Sequence, residues 1–259
     1  MSLDSLSEFA LRPWGMERAG VLIDRTPERL IELQPSFPIP GPNHVCLVRT
    51  TAERVPALLE ACRLLYRARG LPCAWIVGPG SEPADLGERL LALGLQAMPE
   101  LDAMVLPADV GLDPPAPGIT FLDGLRDLAS FRLAHEIQAE AFGGGVVPGL
   151  EARWAELDRD QGRRLVIACL DAEPAAAGWA WITPRGTQLN GGSCRPRLRG
   201  RGLYRATVWE RWRMARAAGS PGLTVQAMPS SRPILARLGF RSVGTWHLYA
   251  DNQPQNYAR

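Results

Sequence analysis

The sequence predicts a mixed α+β fold built twice in tandem, each copy a mixed, mostly antiparallel sheet flanked by helices. Three observations carry this. In the second half, strand-like runs joined by a tight turn come first and helix–strand alternation follows, an order that suits a mixed sheet better than a doubly wound one. The same succession of helix, Gly and Pro stop, short apolar strand, helix and Gly occurs in both halves. Between them, Pro107 to Gly118 holds four prolines and two glycines in twelve residues. Such a segment continues neither a helix nor a central strand, so it divides the chain into 1–112 and 118–259.

Each element has a local reason. In the first half a helical pattern over 53–68 ends at Gly70-Leu71-Pro72, the run Ala74-Trp75-Ile76-Val77 reads as a strand, and a second helix closes on Leu90-Leu91-Ala92-Leu93-Gly94-Leu95. In the second half, 119–122 reads as a strand and 125–142 as a helix with Leu133, Ile137 and Ala141 on one face. A shorter helix follows over 151–157. Three strands come next, over 165–170, 177–182 and 187–194, with Thr183-Pro184-Arg185-Gly186 as the last turn. A helix over 203–218 ends at Gly219-Ser220-Pro221, and then come a strand at 223–226, a helix closing on Leu235-Ala236-Arg237-Leu238-Gly239-Phe240, and a strand over 241–249.

Composition narrows the function. The chain has 259 residues, 46% of them hydrophobic, and a net charge of +2; all 29 basic residues are arginine. That charge is too small for binding nucleic acid or a membrane surface by bulk electrostatics. No run of about 18 apolar residues could span a bilayer, and residues 1–10 do not read as a secretory signal. The five cysteines form no Cys-x-x-Cys pair and the three histidines lie far apart, so no metal-binding or redox spacing is present. The expectation is a cytoplasmic protein with free thiols and no metal, a monomer or homodimer without nucleic-acid or membrane partners.

One stretch carries chemistry. Between the 187–194 strand and the 203–218 helix lies Arg195-Pro196-Arg197-Leu198-Arg199-Gly200-Arg201-Gly202. Glycines at a helix mouth let a ligand approach the backbone, and the free N–H groups of the first turn, at the positive end of the helix dipole, favour phosphate oxygens. The stretch is not a Walker loop, since it lacks Gly-x-x-x-x-Gly-Lys, nor a dinucleotide fingerprint, since the third glycine is missing.

These residues resemble the GNAT superfamily of N-acyltransferases, whose acyl-CoA motif is Gln or Arg, two residues, Gly, one residue, then Gly or Ala. Arg199-Gly200-Arg201-Gly202-Leu203-Tyr204 supplies the Arg and the central Gly but ends on Tyr204, whereas Arg197-x-x-Gly200-x-Gly202 matches in full. The Gly239-Phe240 ending is similar to that of the family's closing helix, and the likeness covers about 119–249. The resemblance implies acetyl-CoA as cosubstrate, with its pyrophosphate on Arg199, Gly200, Arg201, Gly202, Leu203 and Tyr204 and its pantetheine along Gly192, Ser193 and Cys194. The first half, with Thr50-Thr51-Ala52-Glu53-Arg54 at the matching helix start, would be a degenerate copy without a CoA site.

The resemblance also exposes a gap. Families of this fold often place a tyrosine acid on the closing helix, where this chain has Leu235, and the usual glutamate base on the preceding strand is missing. The substitutes are Tyr249 and Ser193, with His247, Tyr204 and Cys194 behind them, and a water held by Gln188, Asn190 and Ser193 as base. For the acceptor, Phe142-Gly143-Gly144-Gly145-Val146 is a loop or a plain linker, Trp179 and Trp181 line a pocket or pack under a helix, and Glu136 and Glu140 bind an amine or form a solvated face. The expected function is transfer of an acetyl group from acetyl-CoA to an amine of a small molecule or protein; the alternative is a catalytically weak or inactive CoA-binding or sensing protein. Eight arginines (Arg195, Arg197, Arg199, Arg201, Arg205, Arg211, Arg213 and Arg216) are expected to gather around the polyphosphate.

Overall fold

The first half begins with helix α1 (Leu3–Leu11) and strands β1 (Leu22–Arg25), β2 (Leu30–Leu33) and β3 (His44–Cys46). It continues through α2 (Val55–Arg67), β4 (Ala74–Val77), α3 (Leu86–Ala92), β5 (Gln96–Ala97) and β6 (Leu101–Pro107). The second half holds β7 (Ile119–Asp123), α4 (Leu128–Phe142), α5 (Leu150–Glu156), β8 (Arg163–Leu170), β9 (Glu173–Thr183) and β10 (Gly186–Cys194). Then follow α6 (Leu203–Ala217), β11 (Gly222–Ala227), α7 (Arg232–Arg237) and β12 (Arg241–Ala250). This computed structural model describes residues 3–146, 148–157 and 162–251. Elements read from the sequence are present with shifted bounds. α4 starts at Leu128 and not at 125 because Asp127 caps it, its carboxylate accepting the Ser130 N–H at 2.7 Å.

The strands form one sheet in the order β1-β2-β3-β4-β12-β6-β11-β10-β9-β8-β7, with β5 beside β12. Two neighbouring pairs are parallel, β3–β4 and β10–β11. Each is joined through a helix, α2 or α6, as a parallel connection requires. The repeat read from the sequence is therefore structural: β3-α2-β4-α3 and β10-α6-β11-α7 are the same unit.

The halves are joined by exchanged strands. β6, which ends the first half, pairs antiparallel with β11 from Gly222↔Pro107 to Ala227↔Asp102. β12, which ends the second, pairs with β4 from His247↔Val77 to Ala250↔Ala74, and β6 and β12 pair with each other. Pro107 to Gly118 separates the halves in sequence, while the hydrogen bonds cross between them.

Alternation along the strands assigns the helices to faces. Trp75 and Tyr249 face α2 and α3, whereas their neighbours Ile76 and Leu248 face α1. Leu223 and Val225 face α6 and α7. On the opposite face Leu165, Ile167 and Ala177 pack against Phe131 and Ile137 of α4 and Leu150 of α5. This leaves a concavity between the end of α1 and the α4–α5 pair.

Removal of residues 241–259 takes out the strand between β4 and β6. Loss of cooperative unfolding in both halves is expected, followed by near-ultraviolet circular dichroism. Residues 1–112 expressed alone are expected to elute as aggregate and not as a folded monomer, because β4 then loses its partner on one edge and β6 on both.

Candidate functional site

The parallel strands β10 and β11 are hydrogen-bonded at Thr187↔Leu223, Gln188↔Thr224 and Leu189↔Val225, and then part. On its other edge β10 stays paired with β9 out to Cys194↔Ala176, across a bulge between Asn190 and Ser193. The bulge holds Gly191 at φ 56°, bends the strand and turns its backbone away from β11. The backbone from Asn190 to Cys194 therefore faces a wedge-shaped cleft.

At the open end of this cleft α6 begins. Gly200 and Gly202 have φ of 79° and 77°, a left-handed conformation that side chains disfavour. Gly202 is the N-cap and contributes no side-chain bond; the first helical bond runs from Ala206 N–H to Gly202 O at 2.9 Å. The N–H groups of Leu203, Tyr204 and Arg205 thus point out of the helix. A Cβ built on Gly200 or Gly202 meets nothing within 4 Å, so this mouth is open.

The arginines around it do not act as one cluster, which corrects the expectation from sequence. Arg195 pairs with Glu140 and Arg197 with Glu173. Arg199 donates to Ala141 O at 2.8 Å, Arg213 pairs with Glu210 at 2.7 Å, and Arg216 lies over the Trp212 ring. Arg211 points inward. Among the described residues Arg201 and Arg205 have no ion pair, and both are exposed beside the mouth. The reason is helical geometry: arginines spaced along α6 and its approach point in different directions.

Arg211 is 1% exposed and donates to Thr207 O at 2.8 Å, Trp179 O at 2.9 Å and Thr207 Oγ1 at 3.2 Å. Burial lowers its pKa to about 10, which still leaves it a cation at neutral pH. Its guanidinium sits under Gly178 and Gly192, and the Tyr204 ring covers Gly192 so closely that an added Cβ would lie 2.8 Å from Cε2. Burial raises the pKa of the Tyr204 hydroxyl; Arg211 and the Ser231 hydroxyl at the head of α7 act against that rise. Tyr204 thus spans from the β10 bulge to α7, where Leu235 is fully buried in the core.

The other sequence candidates lie as follows. Ser193 is buried and its hydroxyl donates to Ala177 O at 3.2 Å. Cys194 is buried, which pushes its thiol pKa up. Tyr249 is not brought to the α6 mouth: on β12 it packs against the first half's core, its hydroxyl over Gly87 of α3. The strand exchange carries it there. Residues 143–145 follow α4, and they do not line the large cavity described below.

The matching cleft of the first half is closed. β3 and β4 also part after two paired residues, but Glu82 N–H donates to Val48 O at 2.9 Å and Thr50 N–H to Glu82 O at 3.3 Å, filling the gap. At the helix mouth the Glu53 carboxylate accepts its own backbone N–H and the Thr51 hydroxyl, which lower its pKa. A carboxylate stands where an anion would bind.

On the α1–α4 face a cavity of about 380 Å³ opens between the halves. Asn190 and Gln226, the residues just beyond the last β10–β11 pair, reach it together with Gln188. Trp179 and Trp181 line it too, and Trp179 also packs edge-on against Phe131 of α4. The first half supplies Arg18, Glu32 and His44. Glu32 is fully buried; burial raises its pKa, but Arg18 at 2.6 Å, His44 and the Gly15 N–H at 2.6 Å outweigh this and hold it below its usual value. Arg18 also lies 5.5 Å from the Trp181 ring centroid, tying β2 to β9 across the cavity. Sequence reasoning missed this group, although a glutamate inside Leu30-Ile31-Glu32-Leu33 is the signal of a buried carboxylate in need of a partner. All five cysteines are free, and no group of three or more His, Cys, Asp or Glu among the described residues could hold a metal. No described helix is long and apolar enough to cross a membrane.

A parallel strand pair that parts beside the start of a helix occurs twice in one mixed sheet, with glycines at the helix mouth in the second half alone, the arrangement of a tandem GNAT-like fold. The chain has this fold, and solved structures share it along nearly the whole length. A GCN5-related N-acetyltransferase from Kribbella flavida aligns with TM-score 0.68 at 14% identity, covering 92% of this chain and 91% of that one. A functionally unknown conserved protein from Staphylococcus epidermidis gives 0.73 at 12%, covering 95% and 98%. A tandem GNAT protein from the clavulanic acid biosynthesis pathway gives 0.57 at 15%, covering 95% and 86%. No protein-family model and no curated protein matches the sequence.

Behind the cavity wall, His135 is 6% exposed against Phe131 and Trp179. Burial lowers its pKa to about 3 from the ordinary 6.5, and Arg153 adds to this. Between those values the unfolded chain binds more protons, so stability is full above pH 6.5 and falls as pH drops toward 3, by at most about 5 kcal/mol. His135→Leu is expected to flatten that slope in urea unfolding between pH 7 and 4.

Proposed function

We propose that the chain is an N-acyltransferase that takes acetyl-CoA at the mouth of α6 and an amine in the cavity between the halves. One observation carries this reading: β10 and β11 part beside the α6 mouth, and the first residues past the parting, Asn190 and Gln226, line the large cavity. The pyrophosphate would rest on the N–H groups of Leu203, Tyr204 and Arg205, with Arg201 and Arg205 supplying charge. The pantetheine would extend the β10 edge along Gly192, Ser193 and Cys194, whose backbone groups facing β11 need partners.

The chemistry follows from this placement. A neutral amine attacks the thioester carbonyl, and backbone N–H groups of the Asn190–Ser193 bulge stabilise the oxyanion. As the intermediate collapses, the C–S bond breaks with its electron pair going to sulfur, and the amide keeps the new C–N bond. Tyr204 gives its proton to sulfur, and the proton lost by nitrogen leaves through water held by Gln188 and Asn190 and restores the tyrosine. Tyr204 thereby fills the role that Leu235 cannot, reaching the thiol from α6 and not from α7. The buried cation of Arg211 stabilises the transient phenolate.

Calorimetry is expected to show one acetyl-CoA per chain. Gly202→Val should abolish binding, since it places a side chain at the phosphate site and strains a left-handed residue; normal binding by this variant would sink the assignment. Tyr204→Phe is expected to keep CoA affinity while lowering kcat for thiol release by about 100-fold and removing the alkaline limb of the pH profile. Leu235 favours a second reading, CoA binding without turnover, and binding with no thiol release from any amine would support it.

A further inference from the structure

One face of the sheet floors the cavity between the halves, and its residues can be followed strand by strand. At the parting of β10 and β11 stand the amides Gln188, Asn190 and Gln226. Toward the first half the next three strands present apolar side chains: Leu101 on β6, Trp246 and Leu248 on β12, and Ile76 on β4. The registers put these on one face. Gln226 pairs with Ala103, two residues from Leu101; Leu101 pairs with Trp246, and Leu248 with Ile76. Past β4 the floor becomes polar again, with His44 on β3 and Glu32 on β2. The polar groups at that far end are engaged within the protein. Glu32 accepts from Arg18 and from the Gly15 N–H, both at 2.6 Å, and His44 Nδ1 lies 2.7 Å from Gly41 O.

The other walls near this stretch are apolar as well. Trp14, from the segment after α1, stands edge-on to Trp246 with ring centroids 4.4 Å apart, and Trp179 pairs with Asn190 across β9 and β10. Two of the cavity's arginines lie over its remaining rings, Arg18 over Trp181 at 5.5 Å and Arg153 over Phe37 at 3.8 Å. A ligand's cation therefore gains little from those two rings, whose faces already serve the protein's own guanidinium groups.

This gradient selects a ligand. A hydrogen-bonding group belongs among the amides at the parting, and whatever extends from it toward the first half crosses about 10 Å of apolar floor, the two strand spacings from β6 to β4. A charge carried along that stretch loses its water and finds no partner in exchange. Leu101 decides what enters, because it is the first apolar residue beside the parting and is half-buried, with part of its surface free for a ligand.

We propose that the cavity takes an apolar monoamine, its one amine at Gln188, Asn190 and Gln226 and its alkyl or arylalkyl body lying across β6, β12 and β4. Polyamines fail this description, since their further charges fall on the apolar floor. The proposal names the acceptor class for the acyltransferase reading above and rests on that reading for the amine's fate. Binding itself is testable with no acyl donor present.

The test is calorimetry of the full chain with butylamine, pentylamine, hexylamine and hexane-1,6-diamine. Affinity is expected to rise about threefold with each methylene from butylamine to hexylamine. Hexylamine is expected to bind about tenfold more tightly than hexane-1,6-diamine, whose second ammonium must leave water. Leu101→Glu, which sets a carboxylate in the floor beside the parting, should reverse that preference, and a reversal cannot come from loss of folding. If this variant does not fold, Trp14→Ser, in a segment outside the helices and strands, should flatten the rise with chain length. Equal binding of all four probes, tighter binding of the diamine by the unaltered chain, no binding by any amine, or a folded variant that leaves its preference unchanged would overturn the proposal. Length-dependent amine binding without acetyl-CoA binding would leave this assignment standing and remove the acyltransferase reading; acetyl-CoA binding with no dependence on amine length would do the reverse.

Discussion

The hydrogen bonds of β6 and β12 across the middle of the sheet are the constraint on which the rest of the molecule depends. Each strand ends one half and completes the sheet of the other, β6 on β11 and β12 on β4. Neither half therefore has its full set of neighbours by itself, and the repeats are held at a set angle to each other. The cavity between α1 and the α4–α5 pair follows from that angle. Its walls include residues of β2, β3, β4, β6, β8, β9, β10, β11 and β12, strands of both halves that the exchange brings around one space.

Within this frame the two repeats have diverged by small changes at matching places. Both have a parallel strand pair that parts next to a helix mouth. In the second half glycines with positive φ leave the mouth open and its N–H groups bare. In the first, backbone bonds between Glu82 and both Val48 and Thr50 close the cleft, and Glu53 occupies the mouth. A backbone geometry that favours an anion is neutralised by one carboxylate, because the N–H groups it exposes can be satisfied once only. The first half then contributes Arg18, Glu32 and His44 to the shared cavity.

Charge is distributed by the same logic. Most of the arginines near α6 are committed to carboxylates or carbonyls of neighbouring elements, which fastens α4 to the approach of α6 through Arg195 and Arg199. Arg211 is kept in the interior by backbone carbonyls and the Thr207 hydroxyl, under the bulge where Tyr204 rests. Arg201 and Arg205 face outward at the mouth. Identical side chains a few residues apart thus do three different things, and the direction each leaves the helix decides which.

The sequence by itself determined the local features. Helix stops at Gly-Pro pairs, the order of strands and helices, the duplicated unit and the glycine mouth at Gly200 and Gly202 all rest on interactions between residues near in the chain, and they were legible. It also showed that Leu235 cannot be an acid. What joins distant segments was not legible: the strand exchange, the place of Tyr249 in the first half's core, the reach of Tyr204 to Gly192 and Ser231, and the meeting of Glu32 with Arg18 beside Trp181. These depend on which strands pair, and strand pairing is settled by burial across the whole sheet. Periodicity along one segment reports which face of a strand is apolar, but not which strand lies beside it. Only the tertiary structure could decide that the half whose helix mouth is closed would help to build the cavity.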